Sequence, residues 1–307
     1  MDSLIKPYNT RKASFGRHET FSLRYAWLTK GFQAFTTKNT IFSSDESTIE
    51  LGVGKNMVNA IKYWLRATSM LVDNVDGLSA SDIGIAIFSE DGWDPYLEDE
   101  GTLWLIHWLL ASNFELSTAW YWFFNCFHKS EFTQDEAADG LAEFVKNNLV
   151  SKHSEKTVKQ EVAMILRMYS PAKVTPKSIV EDSLDAPLTA LNLVIPSETS
   201  HFYRSFANIR PTLPVEIIGF AVNEFFNLRH VDAMPVNDLM YGQKHGIAIG
   251  SLFRMTESTL LAKLELLVKE YPKVFQINET AGINQFYRLD SKIPSKHFIR
   301  DYYQTVA

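Results

Sequence analysis

Three groups of residues in this chain have types and spacings suited to chemistry. The first follows a glycine turn, where Leu51-Gly52-Val53-Gly54 leads into Lys55-Asn56-Met57-Val58-Asn59-Ala60-Ile61-Lys62-Tyr63-Trp64-Leu65-Arg66. At helical spacing Met57, Val58, Ile61, Trp64 and Leu65 share one side, and Lys55, Asn59, Lys62 and Arg66 share the other. That second side carries cations and an amide but no carboxylate. Cations there suit phosphates, and Asn56 or Asn59 suits a base edge. A turn followed by such a helix is the pattern of a helix-turn-helix recognition helix. The competing reading is an ordinary surface helix with a solvated face.

The second group is the acidic turn Asp94, Glu98, Asp99 and Glu100 with His107 beyond it. Carboxylates and an imidazole in that order suit a divalent ion. The heavier-weighted alternative is that Asp99 or Glu100 caps the following helix and His107 is satisfied in the core. The third group is Arg17-His18-Glu19. His18 can serve as a general base oriented by Glu19, or Glu19 can favour a helix start while Arg17 meets a phosphate. With Arg24 of the same basic stretch, the expected DNA contacts are Arg17, Arg24, Lys55, Asn56, Asn59, Lys62 and Arg66.

Several standard sites are absent from the sequence. Gly54-Lys55 resembles the end of a P-loop, but Ile49 stands where that motif needs glycine and Asn56 where it needs a magnesium-holding hydroxyl. There is no H-E-x-x-H, C-x-x-C or G-x-S-x-G. Asp290-x-Lys292 is too short a pattern to mark a nuclease. The sole cysteine, Cys126, reads as a buried small hydrophobe, and its solitude fits a reducing, cytoplasmic setting.

The 307 residues are 46% hydrophobic and 21% charged, a balance that builds a globular core. A formal net charge of -6 argues against indiscriminate nucleic-acid binding. The distribution is uneven, however. Residues 1–70 are rich in Lys and Arg, whereas residues 71–100 carry acidic side chains and neither Lys nor Arg. A local DNA surface on an otherwise acidic protein fits this asymmetry. No secretory signal core opens the chain. The apolar run 103–127 is interrupted by His107, Asn113 and Glu115, which reads as buried helices rather than a membrane span.

The elements that must position these groups read as mainly α with short β-hairpins, in tandem winged-helix or helix-turn-helix-like units. A first unit spans 14–128. Its opening helix has Leu23, Trp27 and Leu28 inward, with Thr20 or His18 as cap and Gly31 as stop. Residues 75–88 suit either a wing or a short helix. Trp104, Trp108, Phe114, Trp120, Tyr121, Trp122 and Phe123 are contiguous rather than interleaved with cations, so they predict core, not a base-stacking platform. A second unit, 131–170, opens on a capping box at Thr133 and Glu136 and continues in a helix over 155–169 with Lys156, Lys159 and Arg167 outward. Residues 171–214, with repeated Pro and Ser, read as a connector. In a C-terminal unit, 215–307, helices over 215–228 and 258–269 precede two strand-like runs, the back half of a winged helix.

The run Ser14 to Phe21, then Leu23-Arg24-Tyr25-Ala26-Trp27-Leu28, Gly31 and Leu51 to Val58, resembles a bacterial family long catalogued as a domain of unknown function. Asp94 to Asp99 with Gly101 to Trp108 looks like its second block, and Ser183-Leu184-Asp185-Ala186-Pro187-Leu188 like a third. This family includes SspB-like proteins of DNA phosphorothioation (Ssp) systems. The resemblance implies a DNA-binding component of a phage-defence system, with nicking of a strand before sulfur insertion as its activity; a nickase would call for Mg or Mn. The resemblance also implies double-stranded DNA as a partner, together with the sulfur-transfer and ATPase proteins of the same system. A non-catalytic DNA-binding adaptor, or a transcription-regulator-like protein that recruits a sulfurtransferase, is the alternative. No catalytic residue is transferred by the resemblance.

Overall fold

In the computed structural model, residues 4–171, 186–198, 201–242 and 246–306 are described. The expected block at 183–188 therefore lies outside them for Ser183, Leu184 and Asp185, as does much of the expected connector. The chain is mainly α with small antiparallel sheets. No helix among the described residues is long and apolar enough to cross a membrane.

The order of elements begins with α1 (Tyr25–Thr37), α2 (Ser47–Leu51) and α3 (Lys55–Ala67), then a hairpin of β1 (Leu71–Asn74) and β2 (Gly77–Ala80), and α4 (Asp82–Phe88). The segment read as either wing or helix contains both. Helix α1 starts without a side-chain cap from Thr20 or His18, because Arg24 holds the N-cap position. It also runs through Gly31 instead of stopping there. A Cβ at Gly31 would meet Ile61 Cγ2 at 2.4 Å and Leu65 Cδ1 at 2.9 Å. This glycine lets α1 approach α3 closely, so packing outweighs its poor helix propensity.

Helices α5 (Glu100–Ala111) and α6 (Thr118–Asn125) form the centre. Every α5 residue from Gly101 to Ala111 is buried, the expected fate of a helix that is apolar all round. Trp104, Trp108, Phe114, Trp120, Tyr121, Trp122 and Phe123 are all core residues. The C-terminal carbonyls of α6 have no helical partners, and Arg254 supplies them. Its guanidinium donates to Phe123, Phe124 and Phe127 O at 2.8, 3.4 and 3.1 Å, and also to Ser251 O and Ser205 Oγ. Burial and the neighbouring Arg210 lower Arg254 to about 10, still charged at neutral pH.

The second group comprises β3 (Glu131–Thr133), α7 (Gln134–Asn148), α8 (Glu155–Tyr169), β4 (Ile195–Pro196) and β5 (Phe202–Arg204). The capping box at Thr133 and Glu136 is present. Its strands pair in the order β3-β5-β4, with Phe132 opposite Tyr203. Strands from the segment read as a connector thus complete the sheet begun at 131. The third group comprises α9 (Val215–Arg229), β6 (Ala233–Pro235), α10 (Val236–Tyr241), α11 (Ile249–Leu252), α12 (Glu257–Glu270), β7 (Phe275–Thr280) and β8 (Ile283–Arg288). Its strand order, β6-β8-β7, repeats that of the second group, with Met234 opposite Phe286. Helix α13 (Lys296–Val306) closes the chain.

Candidate nucleic-acid interface

Helix α3 has two faces, and the structure separates them. Val58, Ile61, Trp64 and Leu65 are buried, whereas Lys55, Asn56 and Asn59 are exposed and Lys62 is half-buried. Gly52 ends α2 in the left-handed region, φ 58, which glycine adopts without strain. Gly54 is the N-cap of α3 and has no side chain to cap the first N–H groups. Gly54, Lys55 and Asn56 are exposed at the positive end of the helix dipole, which favours an anion. Lys55 at the first helical position adds a cation to that end, and it costs about 0.3–1 kcal/mol by the dipole rule. A local rule broken at a solvent face is more at home in a binding surface than in a scaffold.

The expected contacts do not all share this front. Among the described residues, Lys55 and Lys62 have no carboxylate partner. Arg66 pairs with Asp73 on β1, which ties α3 to its hairpin and neutralises part of the cationic face. The loop carrying Arg17 covers the inner side of α3 instead: Phe21 O accepts from Trp64 Nε1 at 3.1 Å, and the His18 ring stacks on Trp64. Arg17 is exposed on that loop, and Arg24 lies with its guanidinium 5.3 Å from the Trp27 ring centroid.

His18 is 1% exposed, and its carboxylate neighbour is not Glu19 but Glu161 of α8, 3.3 Å from Nε2 and itself 2% exposed. Nδ1 accepts from Thr20 N at 3.1 Å, so the neutral ring carries its proton on Nε2, facing Glu161. Nδ1 is engaged, whereas Nε2 is buried beside Glu161 without a hydrogen bond among the described residues, and neither nitrogen reaches solvent. Gly16 N also donates to Glu161 Oε1. Glu19 is exposed and, like Thr20, holds a left-handed backbone, φ 51 and 65. Sequence reasoning missed Glu161. Its signal was a carboxylate on the apolar stripe of α8, three residues after Val158 and four before Ile165.

The acidic turn is organised for folding. Asp94 is buried and accepts from Glu98 N at 2.8 Å, Asp99 N at 3.1 Å and Thr102 Oγ1 at 2.5 Å. Asp99 caps α5 through Thr102 N and takes the Tyr302 hydroxyl at 2.8 Å. Glu100 accepts from Thr212, and Glu98 is exposed. His107 points elsewhere, with Nδ1 at 2.8 Å from Tyr169 Oη and Nε2 at 3.0 Å from Leu252 O. Burial lowers its pKa to about 3, with Arg254 and Arg210 acting in the same direction, so it is neutral. Asp94, Glu98 and His107 are therefore not drawn into one ligand set. Among the described residues no three His, Cys, Asp or Glu side chains stand together as a metal site. Of Asp94, Glu98 and His107, only Glu98 is exposed to an incoming ion. Burial pushes the Cys126 thiol up to about 12, so it is protonated at neutral pH.

Comparison with solved structures finds an "SspB crystal structure" with 26% identity and a TM-score of 0.84, covering 97% of this chain and 90% of that one. A "Magnesium ion-bound SspB crystal structure" matches with 27% identity and a TM-score of 0.85 over the same shares. No curated protein sequence matches. The model of a family described as protein of unknown function (DUF4007) matches residues 15–303, nearly the whole chain, and the chain belongs to that family.

Proposed function

We propose that this protein is a DNA-binding component of a bacterial DNA phosphorothioation and phage-defence system, and that its three groups of elements are winged-helix units of which the first reads DNA. The observation that carries this reading is the outward face of α3. Lys55 and Asn56 sit at an uncapped helix N-terminus, Asn59 and Lys62 lie further along the helix, and a hairpin follows. The likeness to SspB over 97% of the chain supports the placement in such a system. Lys55 and Lys62 meet phosphates, Asn56 and Asn59 meet base edges, and Arg66 supports them once released from Asp73. Arg17 and Arg24 are flanking contacts. The partners in this reading are double-stranded DNA and the sulfur-transfer and ATPase proteins of the system.

Nicking of the strand is the finer proposal, with Mg or Mn supplied as ion. The magnesium-bound relative supports metal use in that protein. The candidates Asp94, Glu98, His107, His18 and Glu19 differ in accessibility, and Glu98 and Glu19 alone of these are exposed. A non-catalytic adaptor is the second reading, favoured by the burial of His18 and His107 away from solvent.

A supercoiled-plasmid assay with Mg, Mn or chelator decides between them. Metal-dependent open circles that disappear in Glu98→Ala identify a nickase centred on the acidic turn. Nicking that survives Glu98→Ala and Glu19→Ala moves the site elsewhere. Salt-sensitive DNA binding without nicking supports the adaptor, and an absence of DNA binding at low salt ends both readings.

A further inference from the structure

The turn at residues 16–20 holds a conformation that its own sequence does not favour. Glu19 and Thr20 are left-handed in succession, φ 51 and 65, and Gly16 is left-handed at φ 71. For Glu and Thr that region is strained, and such strain persists only where the surroundings over-determine it. They do so here. Ser14 N donates to Thr118 Oγ1 of α6 at 2.9 Å, Phe21 N donates to His18 O at 2.9 Å, and Trp64 Nε1 of α3 donates to Phe21 O. The deepest anchor comes from α8. Glu161 accepts from Gly16 N and stands 3.3 Å from His18 Nε2, with the side chains of Glu161 and His18 2% and 1% exposed. No Lys or Arg pairs with Glu161 among the described residues. A carboxylate is costly to bury, and an apolar residue at this position would complete the stripe of Val158, Val162 and Ile165. What the carboxylate holds is the turn.

Arg17 lies between the two residues that Glu161 holds. It is exposed, and it has no carboxylate partner among the described residues. With a neighbour on each side tied to one buried carboxylate, its backbone is fixed while its side chain stays in water. We propose that Glu161 is a positioning residue for DNA binding: it holds the 16–20 turn so that Arg17 meets a backbone phosphate beside α3. The second group of elements thereby sets part of the DNA face of the first. The inference rests on the reading of α3 as a DNA surface. A phosphate is the partner because a single fixed guanidinium supplies charge and fork-shaped donors.

The test is fluorescence anisotropy of the full chain with a labelled double-stranded oligonucleotide over a range of salt concentrations. Arg17→Ala alters an exposed residue and should weaken binding roughly fivefold, lower the salt slope by about 1, and do so equally for unrelated sequences. Glu161→Met fills similar space without the carboxylate and should reproduce both effects. Glu161→Gln keeps an acceptor for Gly16 N and should restore most of the affinity. Arg17→Ala/Glu161→Met should bind no more weakly than Arg17→Ala alone, because both changes act through one contact. Limited trypsin digestion read by mass spectrometry should show faster cleavage after Arg17 in Glu161→Met than in the wild type or Glu161→Gln. Unchanged affinity and salt slope in Arg17→Ala overturn the proposal. So do additive losses in the double variant, which would mean that Glu161 acts through stability alone, or an unchanged cleavage rate after Arg17. If Lys55→Glu/Lys62→Glu loses DNA while Arg17→Ala keeps it, this inference alone fails. A wild-type chain that does not bind DNA at low salt removes the reading of α3 as well.

Discussion

Helices α3 and α12 each precede a hairpin in their groups and present different surfaces. Both are held by a glycine on a neighbouring helix. A Cβ at Gly31 of α1 would strike Ile61 and Leu65 of α3, and one at Gly219 of α9 would come within 3.0 Å of Leu267 of α12 and 2.8 Å of Phe298. The inward sides therefore obey the same packing rule. The outward sides do not: α3 shows Lys55, Asn56 and Asn59, whereas α12 mixes Glu257, Glu265 and Glu270 with Ala262, Leu266 and Lys269. Shared architecture constrains the buried face of a helix and leaves its solvent face free to specialise.

The comparison breaks most severely if the glycines are filled. Gly31→Leu and Gly219→Leu should each cost about 1–3 kcal/mol or more through overpacking, read as a lower thermal midpoint. Retained DNA affinity in Gly31→Leu would mean that α3 does not need its seat on α1. The next effect is on binding. Lys55→Glu/Lys62→Glu should weaken double-stranded DNA roughly 100-fold at moderate salt and reduce the salt slope by about 2, with the fold intact. Unchanged affinity would return α3 to the status of a solvated surface helix.

A third test probes the central core around α5. His107 is buried neutral, with a folded pKa of about 3 against an ordinary 6.5. Between those values the unfolded chain binds a proton that the folded chain refuses, so stability falls as pH drops through 6.5 toward 3. The slope from this group approaches about 1.4 kcal/mol per pH unit. Urea titrations at several pH values should show His107→Gln flattening that contribution. A wild-type curve with no such slope would mean that His107 becomes charged in the folded protein. The smallest effect sharpens the contrast of surfaces: Glu265→Lys/Glu279→Lys should raise DNA affinity by roughly twofold to threefold, since two repulsive charges become attractive.

Much of this was legible before any coordinates. Alternation at 3.6 residues assigned both faces of α3, and the Thr133–Glu136 spacing announced the capping box. Contiguous aromatics announced the core. The misreadings share one cause. Gly31 looks like a stop because local propensity knows nothing of Ile61 and Leu65. Glu19 looks like the partner of His18 because it is adjacent, whereas the imidazole turns to Glu161. Asp94, Glu98 and His107 look like ligands because their chemistry is right, yet Asp94 holds backbone amides and His107 faces the opposite part of the core.

The sequence by itself determined the positions of the longer helices α3, α7, α8, α9 and α12 and the apolar sides of α3. These follow from periodicity and capping, which act over a few residues. Only the tertiary structure decided that Glu161 meets the 16–18 loop, that β4 and β5 complete the sheet of β3, and that Arg254 closes the end of α6. Gly16 and Glu161 are 145 residues apart, and Arg254 and Phe123 131. Such pairings are selected by the need to satisfy each buried polar group once the core has closed, and no local pattern encodes which distant partner will do it.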